Sequence, residues 1–189
     1  MNNDPRELFR RAAAQTGTVI AAIRPEQADL PTPCTDWAVR TLVSHTAGAV
    51  TRIALVGEGA DALSLPPFAD LGDDWTGCYR QAAARAEAAW ADDAKLDALF
   101  AVPWGKVPGR VAVSGYVRVV VAHGWDLAVA TGQRLELPAD LLAHLHDTVF
   151  ASVEQGRQMG MYGPQIAVPA DAPALDRILG LTGRDPAWT

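Results

Sequence analysis

Apolar side chains recur every three or four positions along much of the chain, which is the spacing of an amphipathic α-helix. Residues 5–23 follow this pattern and predict a first helix. Residues 37–56 predict a second helix, which either Thr35 or Asp36 can cap by accepting a bond from a free backbone amide. The Ala-rich residues 74–92 have good helix propensity and predict a third helix.

The second half of the chain mixes helix and strand signals. Residues 96–113 combine Pro, Gly and short apolar runs, which predicts a loop or a small hairpin. The valines in residues 113–131 favour a strand by propensity, whereas the length of the segment and its closing Gly132 favour a helix. Periodicity leaves both interpretations open here. Further helices are predicted from Pro138 onward and over residues 173–181.

These elements define the expected fold class. Four or five long helices with little strand predict an all-α protein, a four-helix bundle with an extra short helix and a small hairpin or loop. A length of 189 residues suits one domain with a full hydrophobic core. We therefore expect a single domain over residues 1–189, with residues 170–189 as a C-terminal tail that packs on it.

Composition and charge limit the classes of binding partner that we expect. The net charge is −6 and the Lys and Arg residues form no cluster, so nucleic acid, which needs concentrated positive charge, is disfavoured. A small molecule, or a second copy of the chain in a homodimer, is favoured instead. No apolar run reaches the roughly 18 residues of a membrane span, and no signal-peptide core is evident. We expect a soluble, cytoplasmic protein without a membrane partner.

Two histidines are the main candidates for chemistry. His45 and His123 each lie in the middle of a predicted helix among apolar neighbours, so both should point into the bundle. Asp126 follows His123 by three positions, which places the two on one helix face. Imidazole and carboxylate groups converging in a bundle suit zinc, nickel or ferrous iron. The alternative is a hydrogen-bonded core pair without chemistry.

Other residues carry weaker signals. Cys34 lies just before a helix start, where the helix dipole favours an ionised thiol, so it is either a reactive thiol or a small buried hydrophobe. His144 and His146 point to different sides of their helix and are interpreted as exposed. Trp37 and Trp125 are interpreted as packing residues.

Three blocks of sequence carry a family resemblance. They are "PTPCTDWAVRTLVSHTAG", "VVVAHGWDLAVATG" and "LDRILGLTGRDPAWT". In this order and spacing, over residues 5–188, they resemble the signature blocks of actinobacterial proteins related to mycothiol-dependent maleylpyruvate isomerase. That family lies within the DinB-like superfamily, and the match is to its shorter subgroup, described as metal-binding proteins of unknown function.

The resemblance implies a DinB-like four-helix bundle, and it implies a helix at 113–131. It also implies a divalent metal held by His45, His123 and an acidic residue four positions before His123. That position is Val119, which offers no donor atom. Asp126 is then either a substitute ligand or a residue that orients His123 through its other ring nitrogen.

The resemblance further implies a function. In these enzymes a metal lies at a pocket where a low-molecular-weight thiol, mycothiol or a relative, is ionised for attack. Arg184 would hold a carboxylate there, and Asp126 would act beside the metal. This predicts a thiol-dependent transferase or isomerase acting on a small electrophile, with zinc or nickel. The alternative, motivated by Val119, is a non-catalytic bundle that binds a small ligand or a second copy without metal.

Overall fold

The computed structural model describes residues 4–189, which are mostly helical. Their regular elements are α1 (Pro5–Ala21), α2 (Val39–Glu58), α3 (Trp75–Ala89), β1 (Leu99–Val102), β2 (Gly105–Pro108), α4 (Gly109–Ala130), α5 (Ala139–Gln158) and α6 (Ala174–Leu181). The all-α prediction is confirmed. Among these described helices, none is both long and apolar enough to span a bilayer. Contacts divide the described chain into two compact units, residues 4–135 and 136–189.

The N-terminal unit is a four-helix bundle. Helix α1 packs against α3 and α4, and α2 packs against the same two helices, so each helix has two neighbours around a shared core. Every helix contributes fully buried apolar side chains, for example Leu8, Leu42, Tyr79 and Val117. Removing such side chains from water is the main force that holds the helices together.

The start of α2 differs from the sequence prediction. The helix begins at Val39, and neither Thr35 nor Asp36 caps it, because Ala38 is the capping residue and makes no side-chain bond. The physical reason is a turn just before the helix. Pro31 pairs with Ala38 as an isolated antiparallel bridge, and Asp36 has a φ of 71°, in the left-handed region. The chain therefore finishes this turn before α2 starts.

Helix α4 resolves the conflict between the strand and helix signals. It includes the valine-rich run, so helix is confirmed there, and it begins at Gly109, earlier than predicted. Its valines Val113, Val117, Val120 and Val121 are buried, because α1 and α2 both pack on this helix. Burial on more than one face outweighs the intrinsic preference of valine for strands.

The segment before α4 is a small hairpin, which was one of the two predicted alternatives. Strands β1 and β2 pair antiparallel, with Leu99 opposite Pro108 and Val102 opposite Gly105. Gly105 closes the turn with a φ of 134°, a conformation that residues with a side chain rarely adopt.

The C-terminal unit contains α5 and α6, which pack against each other. Arg157 of α5 links the two helices, because its guanidinium donates to the carbonyl oxygen of Leu181 in α6 at 2.6 Å. The segment between the helices returns close to α6, where the amide of Ile166 donates to the carbonyl oxygen of Gly180 at 3.0 Å. The expectation that the chain is one domain, with residues 170–189 packing on it as a tail, stays a prediction.

Candidate metal centre

Thr32 organises the loop that presents Cys34. Its hydroxyl donates to the carbonyl oxygen of Trp37 at 2.8 Å and lies 3.2 Å from the backbone amide of Cys34, from which it accepts. The amide of Trp37 donates in turn to the carbonyl oxygen of Cys34 at 3.0 Å. These bonds make residues 31–38 a compact turn that holds the half-buried Cys34 just ahead of α2.

A close contact between α1 and α4 fixes the turn of α4 that carries the predicted ligands. A Cβ atom on Gly124 would lie 2.3 Å from the hydroxyl oxygen of Thr16, so this approach requires glycine. The Thr16 hydroxyl also donates to the carbonyl oxygen of Val120 at 3.1 Å. Because His123 and Asp126 lie on either side of Gly124, their backbone positions are set by this contact.

Hydrogen bonds hold the loop between α2 and α3, residues 59–74, against α2. Arg52 donates to the carbonyl oxygen of Ala62 at 3.1 Å. The amide of Ala69 donates to the carbonyl oxygen of Ser44 at 3.1 Å, and the Ser44 hydroxyl donates to the carbonyl oxygen of Ala69 at 2.6 Å. The loop therefore presents its backbone carbonyls at fixed positions along one face of α2.

One of these carbonyls determines which ring nitrogen of His45 carries the proton. The Nδ1–H of His45 donates to the carbonyl oxygen of Pro67 at 3.1 Å, which leaves the lone pair on Nε2. Burial and, second, the neighbouring His123 ring lower the pKa of His45 to about 4. The imidazole is therefore neutral near pH 7, and neutral imidazole is the form that ligates metals.

The structure brings the two predicted imidazoles together. The ring centroids of His45 and His123 lie 5.0 Å apart, with the ring planes at 85°. Two aromatic rings pack on His45, with centroid distances of 4.5 Å to Trp37 and 5.8 Å to Phe68. Trp37 packs as predicted, and it packs on a candidate ligand. No sequence pattern marks Phe68, because it lies in a loop without apolar periodicity.

A buried carboxylate joins His123 to a cysteine. The Asp126 side chain is 0% exposed, and its Oδ2 lies 3.1 Å from both the Cys34 sulfur and Nδ1 of His123. The Cys34 sulfur lies 3.8 Å from the same ring nitrogen. Because a carboxylate accepts, the thiol and the ring N–H both donate to it. The donor atoms of the three residues all lie within 4.8 Å of one another.

These distances come within a few tenths of an ångström of those around a zinc ion. Bonds of about 2.3 Å to sulfur and about 2.0–2.2 Å to nitrogen or oxygen, at tetrahedral angles, separate the donor atoms by about 3.3–3.7 Å. The observed separations are 3.1, 3.1 and 3.8 Å. Two imidazoles on one tetrahedral zinc place their centroids about 5 Å apart, which is the spacing of His45 and His123. The side chains present therefore fit a divalent ion.

Sequence reasoning placed Cys34 near a helix start but did not group it with His123 and Asp126. The signal available was its position in the first resemblance block, eleven residues before His45. Val119 is half-buried one turn before His123, and its side chain offers no donor atom. Position 119 thus contributes no ligand.

The remaining predicted residues lie in various places. Trp125 is buried, in agreement with a packing role. Arg184 belongs to the C-terminal unit, where its guanidinium lies 3.4 Å from the Thr182 hydroxyl, and its anion-binding role stays a prediction. His146 is exposed as predicted. His144 is half-buried, contrary to prediction, because it lies one turn after the buried Leu141 in α5.

The fold and the cluster together define a helical bundle with a candidate metal centre inside it. The profile of the mycothiol maleylpyruvate isomerase N-terminal domain matches residues 9–128. The chain belongs to this family, as its sequence blocks predicted.

Relatives and solved structures agree with this assignment. The uncharacterized proteins Rv0738 of Mycobacterium tuberculosis strain ATCC 25618 / H37Rv and MT0763 of strain CDC 1551 / Oshkosh are each 31% identical over 183 residues, covering 96% of this chain and 98% of theirs. A crystal structure of the mycothiol-dependent maleylpyruvate isomerase shares the fold, with a TM-score of 0.59 at 15% identity, over 80% of this chain and 71% of that one. A histidine-to-alanine mutant of that enzyme gives a TM-score of 0.56 at 14% identity over the same shares.

Proposed function

We propose that this protein binds a divalent metal ion inside its four-helix bundle and uses it in thiol-dependent isomerisation or transfer on a small electrophilic substrate. One observation carries the proposal: the imidazoles of His45 and His123 lie 5.0 Å apart beside the buried carboxylate of Asp126. Family membership supports the thiol, because the solved structure of similar fold is that of a mycothiol-dependent isomerase.

The chain's own residues have separable roles in this proposal. His45 and His123 hold the ion, and the hydrogen bond to Pro67 fixes the orientation of the His45 ring. Asp126 also supplies negative charge at a position closed to solvent. Trp37 packs on the His45 ring and limits access of water to it.

A divalent ion held by this donor set, zinc or nickel by its ligand chemistry, favours the thiolate form of a thiol bound against it. Mycothiol or a related low-molecular-weight thiol is the proposed co-substrate. We propose that Arg184 holds a carboxylate of the substrate or of the thiol, since its planar guanidinium matches a carboxylate with two parallel bonds.

Metal analysis tests the proposal. Protein purified without chelator, then incubated with zinc or nickel and desalted, should retain about one ion per chain. His45→Ala and His123→Ala should each lose it, while the matched control His146→Ala, at an exposed position, should retain it. Metal-free wild-type protein after loading would contradict the proposal.

The thiol is tested separately by calorimetric titration of mycothiol into the metal-loaded protein. Saturable binding that disappears in His123→Ala, but persists in His146→Ala, is expected. Absence of binding to loaded wild-type protein would remove the thiol from the proposal and leave metal binding intact.

A second candidate function is a bundle that binds a small ligand, or a second copy of itself, without metal. Two observations favour it: Val119 lacks a donor atom, and the thiol, imidazole and carboxylate of the cluster already satisfy one another. In this case wild-type protein binds no metal, and Val119→Glu creates tight zinc binding by restoring an acidic ligand. Stoichiometric metal in the wild type would exclude this alternative.

A further inference from the structure

The ligand set of the proposed metal centre is one donor short in α4. Val119, one turn before His123, is half-buried and has no atom that can bind an ion. A site with two imidazoles and a single carboxylate leaves room in the coordination sphere of a tetrahedral ion. The structure supplies a further donor from outside α4, on the turn that precedes α2.

We infer that Cys34 is a direct metal ligand that binds through its sulfur and takes the place left open by Val119. This inference rests on the proposed metal-binding function and deepens it. Besides His45, the ion would be bound by sulfur, nitrogen and oxygen from Cys34, His123 and Asp126, whose donor atoms lie mutually within 4.8 Å.

The geometry supports direct ligation. The sulfur of Cys34 lies 3.1 Å from Asp126 Oδ2 and 3.8 Å from His123 Nδ1. An ion bonded to all three atoms at normal lengths replaces the hydrogen bonds that Asp126 accepts, with the His123 ring proton moving from Nδ1 to Nε2, and needs shifts of only a few tenths of an ångström. The Thr32 hydroxyl, bonded to the backbone of Cys34 and Trp37, fixes the backbone that carries this sulfur.

Charge balance also supports direct ligation by the Cys34 sulfur. Neutral imidazoles and the Asp126 carboxylate supply a single negative charge, whereas a divalent ion carries two positive charges. An uncompensated charge at a position closed to water is costly. Ligation by Cys34 releases its thiol proton to solvent and adds the second negative charge, so the buried assembly of ion and ligands becomes neutral.

The other cysteine has none of these features and serves as a matched control. Cys78 is also half-buried, but its sulfur contacts only a backbone carbonyl, that of Asp70, at 3.6 Å. Burial, together with the nearby carboxylates of Asp70 and Asp74, raises the pKa of the Cys78 thiol. Its environment therefore disfavours a thiolate.

Sulfur ligation also sets the metal preference. Thiolates bind zinc strongly and suit magnesium and manganese poorly, which prefer oxygen donors. The site should therefore select zinc from a mixture with a large excess of manganese.

Cobalt substitution and zinc titration test the inference on the full-length protein. Wild-type protein loaded with Co²⁺ should show the intense near-ultraviolet charge-transfer absorption of a cobalt–thiolate bond. Cys34→Ser should abolish this band, and Cys78→Ser should retain it. Zinc affinity, measured against a competing chelator, should fall in Cys34→Ser by at least the roughly 10–100-fold that loss of an outer hydrogen-bond partner costs.

The possible outcomes distinguish a failure of Cys34 ligation from a failure of metal binding itself. If the wild type binds zinc but shows no charge-transfer band, and Cys34→Ser binds zinc equally well, Cys34 only donates a hydrogen bond to Asp126. The inference is then wrong and the metal-binding function stands. If the wild type binds neither zinc nor cobalt, both fail. Should Cys34→Ser not fold, the wild-type band and its retention in Cys78→Ser decide the question alone.

Discussion

Two groups of polar side chains in the N-terminal unit find hydrogen-bond partners of different kinds. In the packed core, Trp90 donates its ring N–H to the carbonyl oxygen of Ile53 at 2.8 Å, and the Tyr79 hydroxyl donates to that of Ala13 at 3.2 Å. Around His123, the partners are instead other titratable side chains, Cys34 and Asp126.

The difference separates structural polar groups from functional candidates. The indole of Trp90 and the phenol of Tyr79 complete the hydrogen bonding of the core, and neither offers a metal-ligand atom at neutral pH. The sulfur of Cys34, the imidazole of His123 and the carboxylate of Asp126, which contact one another, instead keep donor atoms that an ion can take over. We therefore expect substitutions in the two regions to affect different properties, folding stability in the first and metal affinity in the second.

The largest effect is expected in the packed core. Trp90→Ala removes a nearly fully buried ring and its bond to Ile53, and should lower the free energy of unfolding by about 3–5 kcal/mol. Urea denaturation followed by circular dichroism measures this change. The fraction that remains folded should bind zinc with wild-type affinity. A large loss of zinc affinity would show that the two regions are not independent.

The next effect is expected at the buried carboxylate. Asp126→Asn keeps the shape of the side chain but removes its negative charge, so the residue can no longer offset the charge of a divalent ion. Zinc affinity should fall about 10–100-fold, measured by chelator competition. The control Asp97→Asn changes an exposed carboxylate and should leave affinity unchanged. Equal affinities in the two variants would contradict the role given to Asp126.

A pH-dependent effect follows from His45. Burial, then the nearby His123, lowers its folded pKa to about 4, below the value of about 6.5 expected for the unfolded chain. The unfolded state therefore binds more protons between these values, so stability falls as pH decreases from about 6.5 to about 4. The full shift corresponds to about 3 kcal/mol, which partial exposure reduces to about 1–2 kcal/mol.

The comparison of wild type with His45→Gln isolates this contribution. The metal-free proteins are unfolded with urea at pH 7 and at pH 4.5, and the loss of stability between the two should be smaller in the variant. An identical loss in both would mean that His45 titrates normally in the folded protein.

The smallest effect is expected at a surface ion pair. Arg85 and Glu58 join α3 and α2 at 2.6 Å, but both side chains are substantially exposed. Glu58→Gln should therefore change the free energy of unfolding by no more than about 1 kcal/mol and leave zinc affinity unaltered. A larger change would show that surface ion pairs contribute more to the stability of this bundle than expected.

The sequence predicted the helices well because their apolar periodicity is a local property. The sequence prediction was wrong at the start of α2. There a bridge between Pro31 and Ala38, seven positions apart, displaces the expected caps Thr35 and Asp36. The sequence also left the valine run of α4 ambiguous, since only packing between helices decides its state.

The candidate site was partly predictable for a related reason. His123 and Asp126 share a helix face by spacing alone, and His45 was expected to point inward from α2. Cys34 approaches Asp126 across 92 positions of sequence, a contact that helical spacing cannot reveal. Its place in a resemblance block marked the residue without indicating its partners.

The most direct test of the metal centre is anomalous scattering from crystals of the protein grown with zinc, recorded at the zinc absorption edge. We expect one strong difference peak about 2.0–2.3 Å from a ring nitrogen of His45, a ring nitrogen of His123 and the sulfur of Cys34. No peak within the bundle, or peaks only at exposed groups such as His146 and Asp147, would contradict it.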